Sequence, residues 1–162
     1  RSRGLGDVYK RQMDESFPDV MNYVENHYKV AKDKAHRAIC GLSMGGGHSF
    51  DISRRFPTKF DYIGLFSAGL HVSTTGDFRN DFYKQLQGNE EAKTQLATLF
   101  KNKPKLYWIG MGKTDFLYKS SADLRRYFDE KGYKYTYMET EGGHIWRNWR
   151  VYLTEFAQKI FK

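Results

Sequence analysis

The sequence predicts an α/β fold, a parallel sheet of about four strands with helices on both faces, on three observations. Short apolar, β-favouring runs alternate with stretches whose apolar residues recur at helical spacing. The pentapeptide Gly41-Leu42-Ser43-Met44-Gly45, followed by Gly46 and Gly47, joins the apolar run Ala38-Ile39-Cys40 to one of those helical stretches. Ser43, Asp115 and His144 each follow a predicted strand, at the carboxyl end of a parallel sheet where sites gather.

The elements follow in order. Residues 1–12 lack apolar periodicity and resemble the conceptual translation of a sequencing-library adaptor, so they are set aside and residues 13–162 are read as the folded portion. A first helix is expected from Ser16 to about Tyr28, with Pro18 in its first turn and Val20, Tyr23, Val24 and His27 on one face. The elbow strand is expected at His36 to Cys40, and the helix after Ser43 runs to about Arg55, closed by Pro57. Phe60 to Phe66 reads as a buried strand. Within the polar stretch His71 to Pro104, short helices are expected at Asn80 to Leu86 and Glu90 to Phe100, in a segment expected to cover the site. Leu106 to Ile109 is the third strand and Gly110-Met111-Gly112 its exit turn. A helix carrying Leu124, Tyr127 and Phe128 stops at Gly132, and Tyr133 to Met138 is the fourth strand. Trp149, Tyr152, Leu153, Phe156 and Ile160 then repeat at helical spacing.

A serine on a sharp strand-to-helix turn is held with its hydroxyl exposed, and glycines two before and two after it are expected to relieve clashes. Ser43 is therefore the candidate nucleophile, and the backbone N–H of Met44 points where an oxyanion would form. Serine attack needs a base, and an imidazole base needs a carboxylate to fix its tautomer. His144 and Asp115 fill these roles, with Asp77 and Asp81 as poor substitutes because neither follows a strand end directly. His71 is a candidate to line the site, and Trp146 to form an aromatic wall for substrate; Trp149 is read as core and His48 as packed or solvated.

With 162 residues, 40% apolar and 17% aromatic, the chain has the composition of a folded globular protein. The net charge of +8 draws three charges from the first twelve residues, and the other basic residues are scattered without a stacking pattern. Solvated faces are expected, not nucleic-acid binding. No run reaches the length of a membrane span. No His/Cys cluster has metal-ligand spacing, so neither a catalytic metal nor a cofactor is expected. The single Cys40 cannot form an internal disulfide and is read as a buried structural thiol.

The stretch His36-Arg37-Ala38-Ile39-Cys40-Gly41-Leu42-Ser43-Met44-Gly45-Gly46 resembles the esterase D-like branch of the α/β-hydrolases, nearest to bacterial feruloyl and acetyl xylan esterases of the first carbohydrate esterase family. Phe60 to Ala68 and Gly142-Gly143-His144-Ile145-Trp146-Arg147-Asn148-Trp149-Arg150 fit the same group, and the likeness covers residues 16 to 162. It implies the C-terminal part of an α/β-hydrolase domain, with the family's nucleophile, acid and base at Ser43, Asp115 and His144. It implies release of feruloyl or acetyl groups from plant cell-wall xylan by a secreted or periplasmic bacterial protein. Acyltransferases and thiol-ester hydrolases share such a triad, and a non-catalytic carbohydrate-binding relative is the remaining alternative. The family's fold has further strands upstream, one of which supplies a second oxyanion donor. The 162-residue chain by itself is accordingly expected to be poorly soluble and nearly inactive.

Overall fold

A computed structural model describes residues 3–72 and 81–162. The elements in chain order are α1 (Arg3–His27), a 3-10 turn (Lys34–His36), β1 (Ala38–Leu42), α2 (Met44–Arg55), β2 (Tyr62–Phe66), α3 (Phe82–Gln87), α4 (Glu90–Lys101), β3 (Leu106–Gly112), α5 (Tyr118–Lys131), β4 (Thr136–Thr140) and α6 (Trp146–Ala157). The four strands form one parallel sheet in the order β1-β2-β3-β4, with Cys40 opposite Gly64 and Gly64 opposite Trp108. The expected α/β architecture is present.

Side-chain alternation along the strands sorts the core into two layers. Ile39, Ile63, Leu65, Tyr107 and Ile109 point to one face, where Phe50 and Ile52 of α2, Leu96 and Leu99 of α4, and Leu124 and Phe128 of α5 bury them. Tyr62, Phe66 and Trp108 point to the other, closed by Tyr152 and Phe156 of α6. Each fully buried large apolar side chain is worth about 1.5–3 kcal/mol relative to an exposed one. Gly132, in the left-handed conformation, ends α5 where the sequence places its stop.

Several boundaries differ from the sequence expectations. The first helix begins at Arg3, well before Ser16, so Pro18 lies inside it and not in its first turn. The turns before and at Pro18 are tied to the body: the buried Asp14 meets His48 Nδ1 of α2 at 3.1 Å, and the Phe17 ring lies 6.3 Å from that of Phe60. Burial raises the Asp14 carboxyl above its ordinary value, the His48 bond opposing that rise. The elbow strand starts at Ala38, because Lys34–His36 winds into a 3-10 turn in which His36 Nδ1 bonds Asp33 at 2.8 Å. The glycines expected to turn the chain out of β3 belong to the strand itself, since Gly110 and Gly112 pair with Met138 and Thr140 of β4.

Cys40 is exposed, contrary to the buried thiol expected. It shares a face with Ala38 and Leu42, the face that α6 covers, but α6 packs over β2 and β3 and leaves β1 half open. The described part of the segment expected to cover the site feeds the core through Phe82, Leu86, Ala92, Leu96 and Leu99. Asp77, and Asn80 at the expected start of α3, lie outside the described residues.

Candidate active site

The elbow is a strained backbone held by crowding. Ser43 has φ 54° and ψ −118°, a left-handed conformation that side chains rarely adopt and that persists only where surroundings enforce it. Its N–H donates to Phe66 O at 2.8 Å, and its C=O accepts from Gly47 N at 3.2 Å and Gly69 N at 2.9 Å. A Cβ on Gly41 would lie 2.3 Å from the Gly45 carbonyl. At Gly45 itself a Cβ would meet nothing within 4 Å; the other tight positions are Gly46, where it would sit 2.7 Å from Ala68 Cβ, and Gly47, where it would sit 2.4 Å from Gly69 O. The expectation of a matching clash at Gly45 is thus corrected: the first turn of α2 approaches the loop after β2 through Gly46 and Gly47.

The structure brings Ser43, His144 and Asp115 together. His144 Nε2 lies 3.0 Å from Ser43 Oγ, and His144 Nδ1 lies 2.9 Å from Asp115 Oδ2. Asp115 is buried, and its other oxygen accepts the Leu117 N–H at 2.9 Å, which fixes the carboxylate plane. Met44 opens α2, and first-turn N–H groups of a helix have no partner within it. Asp81, weighed as a substitute acid, instead caps α3 by accepting from Lys84 N.

The loop bearing His144 is pinned from below. Lys113 N donates to Thr140 O at 2.9 Å, Thr114 N to Gly142 O at 3.1 Å, and the buried Asn148 of α6 donates its Nδ2–H to Gly143 O at 3.0 Å. The sequence assigns Asn148 no role beyond its place in the Gly142 to Arg150 motif, although a polar residue four positions after His144 and beside Trp149 is a usable signal. The end of β3 approaches this loop so closely that a Cβ on Gly112 would lie 2.4 Å from Gly142 O and 3.0 Å from Gly143 O. Gly112→Ala is therefore expected to cost about 1–3 kcal/mol through overpacking. Because the same shift moves His144, it should also lower kcat about 10²-fold. Denaturant unfolding and steady-state kinetics on the same sample check both numbers; a variant of unchanged stability and rate would show that the loop yields freely.

Aromatic rings frame the imidazole in an arrangement partly different from the one expected. Trp149, read as core, does pack against the α6-side core, but its ring also stands edge-on to His144 at 4.9 Å. Trp146, 68% exposed, meets Trp149 at 5.1 Å, one turn earlier on α6. The residue after the acid, Phe116, lies with its ring 4.8 Å from His144 and was not singled out in the sequence. His71 is half-buried in the loop that leaves β2 and touches the elbow through Gly69. Among the described residues, no group of three or more His, Cys, Asp or Glu side chains is placed to hold a metal ion.

The Esterase family model matches residues 9–160. The chain is 25% identical over 164 residues to the acetyl esterase of Caldicellulosiruptor saccharolyticus, covering 89% of this chain and 61% of that protein. It is 29% identical over 154 residues to the endo-1,4-beta-xylanase/feruloyl esterase of Xylanibacter ruminicola, covering 93% of this chain and 17% of that one. A solved ferulic acid esterase superposes with a TM-score of 0.69 at 25% identity, over 87% of this chain and 57% of that structure. The chain therefore spans less than two thirds of the length of these relatives.

Proposed function

The chain belongs to the esterase family, and on that premise we propose that it carries the catalytic centre of a serine carboxylic-ester hydrolase releasing feruloyl or acetyl groups from cell-wall xylan. The observation that carries this reading is the continuous hydrogen-bonded line from Ser43 Oγ through His144 to Asp115 Oδ2. A protein that only bound carbohydrate would have no use for a serine strained into φ 54° beside an imidazole. The site would act outside the cytoplasm, where xylan is.

In the first half-reaction His144 Nε2 takes the hydroxyl proton as Ser43 Oγ bonds to the ester carbonyl carbon. Asp115 accepts the Nδ1–H bond, keeping the tautomer that leaves Nε2 free as base and stabilising the imidazolium. The carbonyl oxygen, now anionic, is met by the Met44 N–H at the head of α2. The tetrahedral species collapses as the C–O bond to the alcohol breaks and the departing oxygen takes the proton from Nε2. Water then repeats the sequence on the acyl-serine, and the free acid leaves.

In this reading the Met44 N–H is an oxyanion donor, and loss of one such donor costs about 10²–10³ in turnover. The described sheet also leaves the outer edge of β1 unpaired, a surface prone to association. Assay of ferulate and acetate release from esterified xylan tests the reading. Release of either above background supports it. Release of neither contradicts it.

A further inference from the structure

We propose that Asn148 is a positioning residue of this site: its buried amide fixes the peptide that carries His144, and through it the distance at which the imidazole meets Ser43. The inference rests on the hydrolase reading above and adds to it the group that holds the base in place.

The chain around His144 has little stiffness of its own. β4 ends at Thr140, and two glycines precede the histidine, Gly142 with φ 83° in the left-handed region. Glycine gives up more conformational freedom on folding than any other residue, so a Gly-Gly segment holds one shape only where bonds impose it. Those bonds converge on one atom. Gly143 O accepts the Ile145 N–H at 3.0 Å, which makes His144 the central residue of a three-residue γ-turn. Its φ is not positive, so the turn is the common inverse form. The same oxygen accepts the Asn148 Nδ2–H at 3.0 Å. A flip of the Gly143–His144 peptide, or a swing of it away from α6, would break both bonds at once.

Asn148 stands where such a hold can be firm. It lies in the first turn of α6, 3% exposed, on a helix that Tyr152 and Phe156 anchor in the core one and two turns later. Asparagine is a poor helix former, and a buried amide costs free energy unless it is bonded, so helix stability alone favours leucine or alanine here. The end of β3 leaves room for the amide, since a Cβ on Gly112 would stand 3.0 Å from Nδ2. The imidazole is held at both nitrogens, Nδ1 2.9 Å from Asp115 Oδ2 and Nε2 3.0 Å from Ser43 Oγ. Making both bonds at once requires the ring to be placed to within about 0.5 Å. A misplacement of about 1 Å costs about 10²-fold in rate. Buried as it is, Asn148 acts through His144 and not on substrate, so its loss falls on kcat.

The test compares the unaltered chain with Asn148→Leu, which keeps the branched shape and has no donor. Gly143 O retains its bond from Ile145, so the turn is loosened without leaving an unpaired carbonyl. With p-nitrophenyl acetate, kcat should fall about 10- to 100-fold while KM changes less than about twofold. A thermal melt of the same preparation shows that the assay temperature lies below unfolding. The second readout needs no turnover. The proton on His144 Nδ1, bonded to a carboxylate, gives a resonance far downfield in a proton NMR spectrum, and in Asn148→Leu that resonance should shift or vanish. Should Asn148→Leu not fold, Asn148→Ala, which adds no atom to the site, carries the same comparison. A folded variant with unchanged kcat and an unmoved resonance would overturn the proposal and leave Asn148 a brace for α6 alone. If the resonance moves while no ester is cleaved by either chain, the hydrolase reading fails and the positioning role stands. If both chains cleave the ester at equal rates, the positioning role fails alone.

Discussion

Ser43→Ala is expected to reduce ester hydrolysis by about 10⁴–10⁶-fold, to the background of the solvent reaction. In the proposed mechanism the serine oxygen bonds the acyl carbon, and His144 Nε2, 3.0 Å away, takes its proton. The substitution removes a single oxygen from a half-buried position, and alanine must still adopt the left-handed backbone at φ 54°. Folding should therefore be nearly unchanged, and KM with it, so the loss falls on kcat. Steady-state kinetics together with a thermal melt of the same preparation check this. A folded variant that keeps ester turnover within tenfold would remove Ser43 from the mechanism.

The second large effect is expected at Asp115. Asp115→Asn should lower kcat by about 10⁴-fold with little change in KM, because the carboxylate's work is to hold one tautomer of His144. Oδ1 can still accept the Leu117 N–H after the exchange, so the loop keeps its shape. The amide nitrogen that replaces Oδ2, however, offers a hydrogen where His144 Nδ1 offers its own. The ring then turns its bare nitrogen toward the amide and its N–H toward Ser43, where it cannot accept the hydroxyl proton. Asp115 is buried, and its carboxylate meets His144 and the Leu117 amide. A loss of less than about 10-fold would mean that His144 is oriented chiefly by its aromatic neighbours and the Asn148-pinned loop.

The sequence made the site more legible than its setting. Ser43, Asp115 and His144 can be placed together from sequence because parallel strands deliver their carboxyl ends to one side, so residues far apart in the chain converge once the strand order is guessed. Boundaries were harder to read where a residue's type pointed one way and its pairing partner the other. Gly110 and Gly112 look like a turn, yet β4 supplies the hydrogen bonds that keep them in β3, and their missing side chains make room for Trp108 and for the His144 loop. Pro18 looks like a helix start, but the Asp14–His48 contact and the Phe17–Phe60 contact lie beyond local propensity. Cys40 looks buried because its neighbours in sequence are apolar; its exposure depends on where α6 crosses the sheet. Phe116 was invisible for the same reason. No pattern in Asp115-Phe116-Leu117 tells which of two adjacent apolar side chains turns inward and which turns outward.

The central claim is that Ser43 is a nucleophile activated by His144, and trapping that serine tests it most directly. A fluorophosphonate probe reacts with an activated serine whether or not later steps are fast, so labelling does not require full turnover. After incubation with the probe, mass spectrometry of the digested chain should place a single adduct on the peptide containing Ser43. That adduct should be absent from both Ser43→Ala and His144→Ala. A folded chain that takes no label, or that takes it at another residue, would contradict the account.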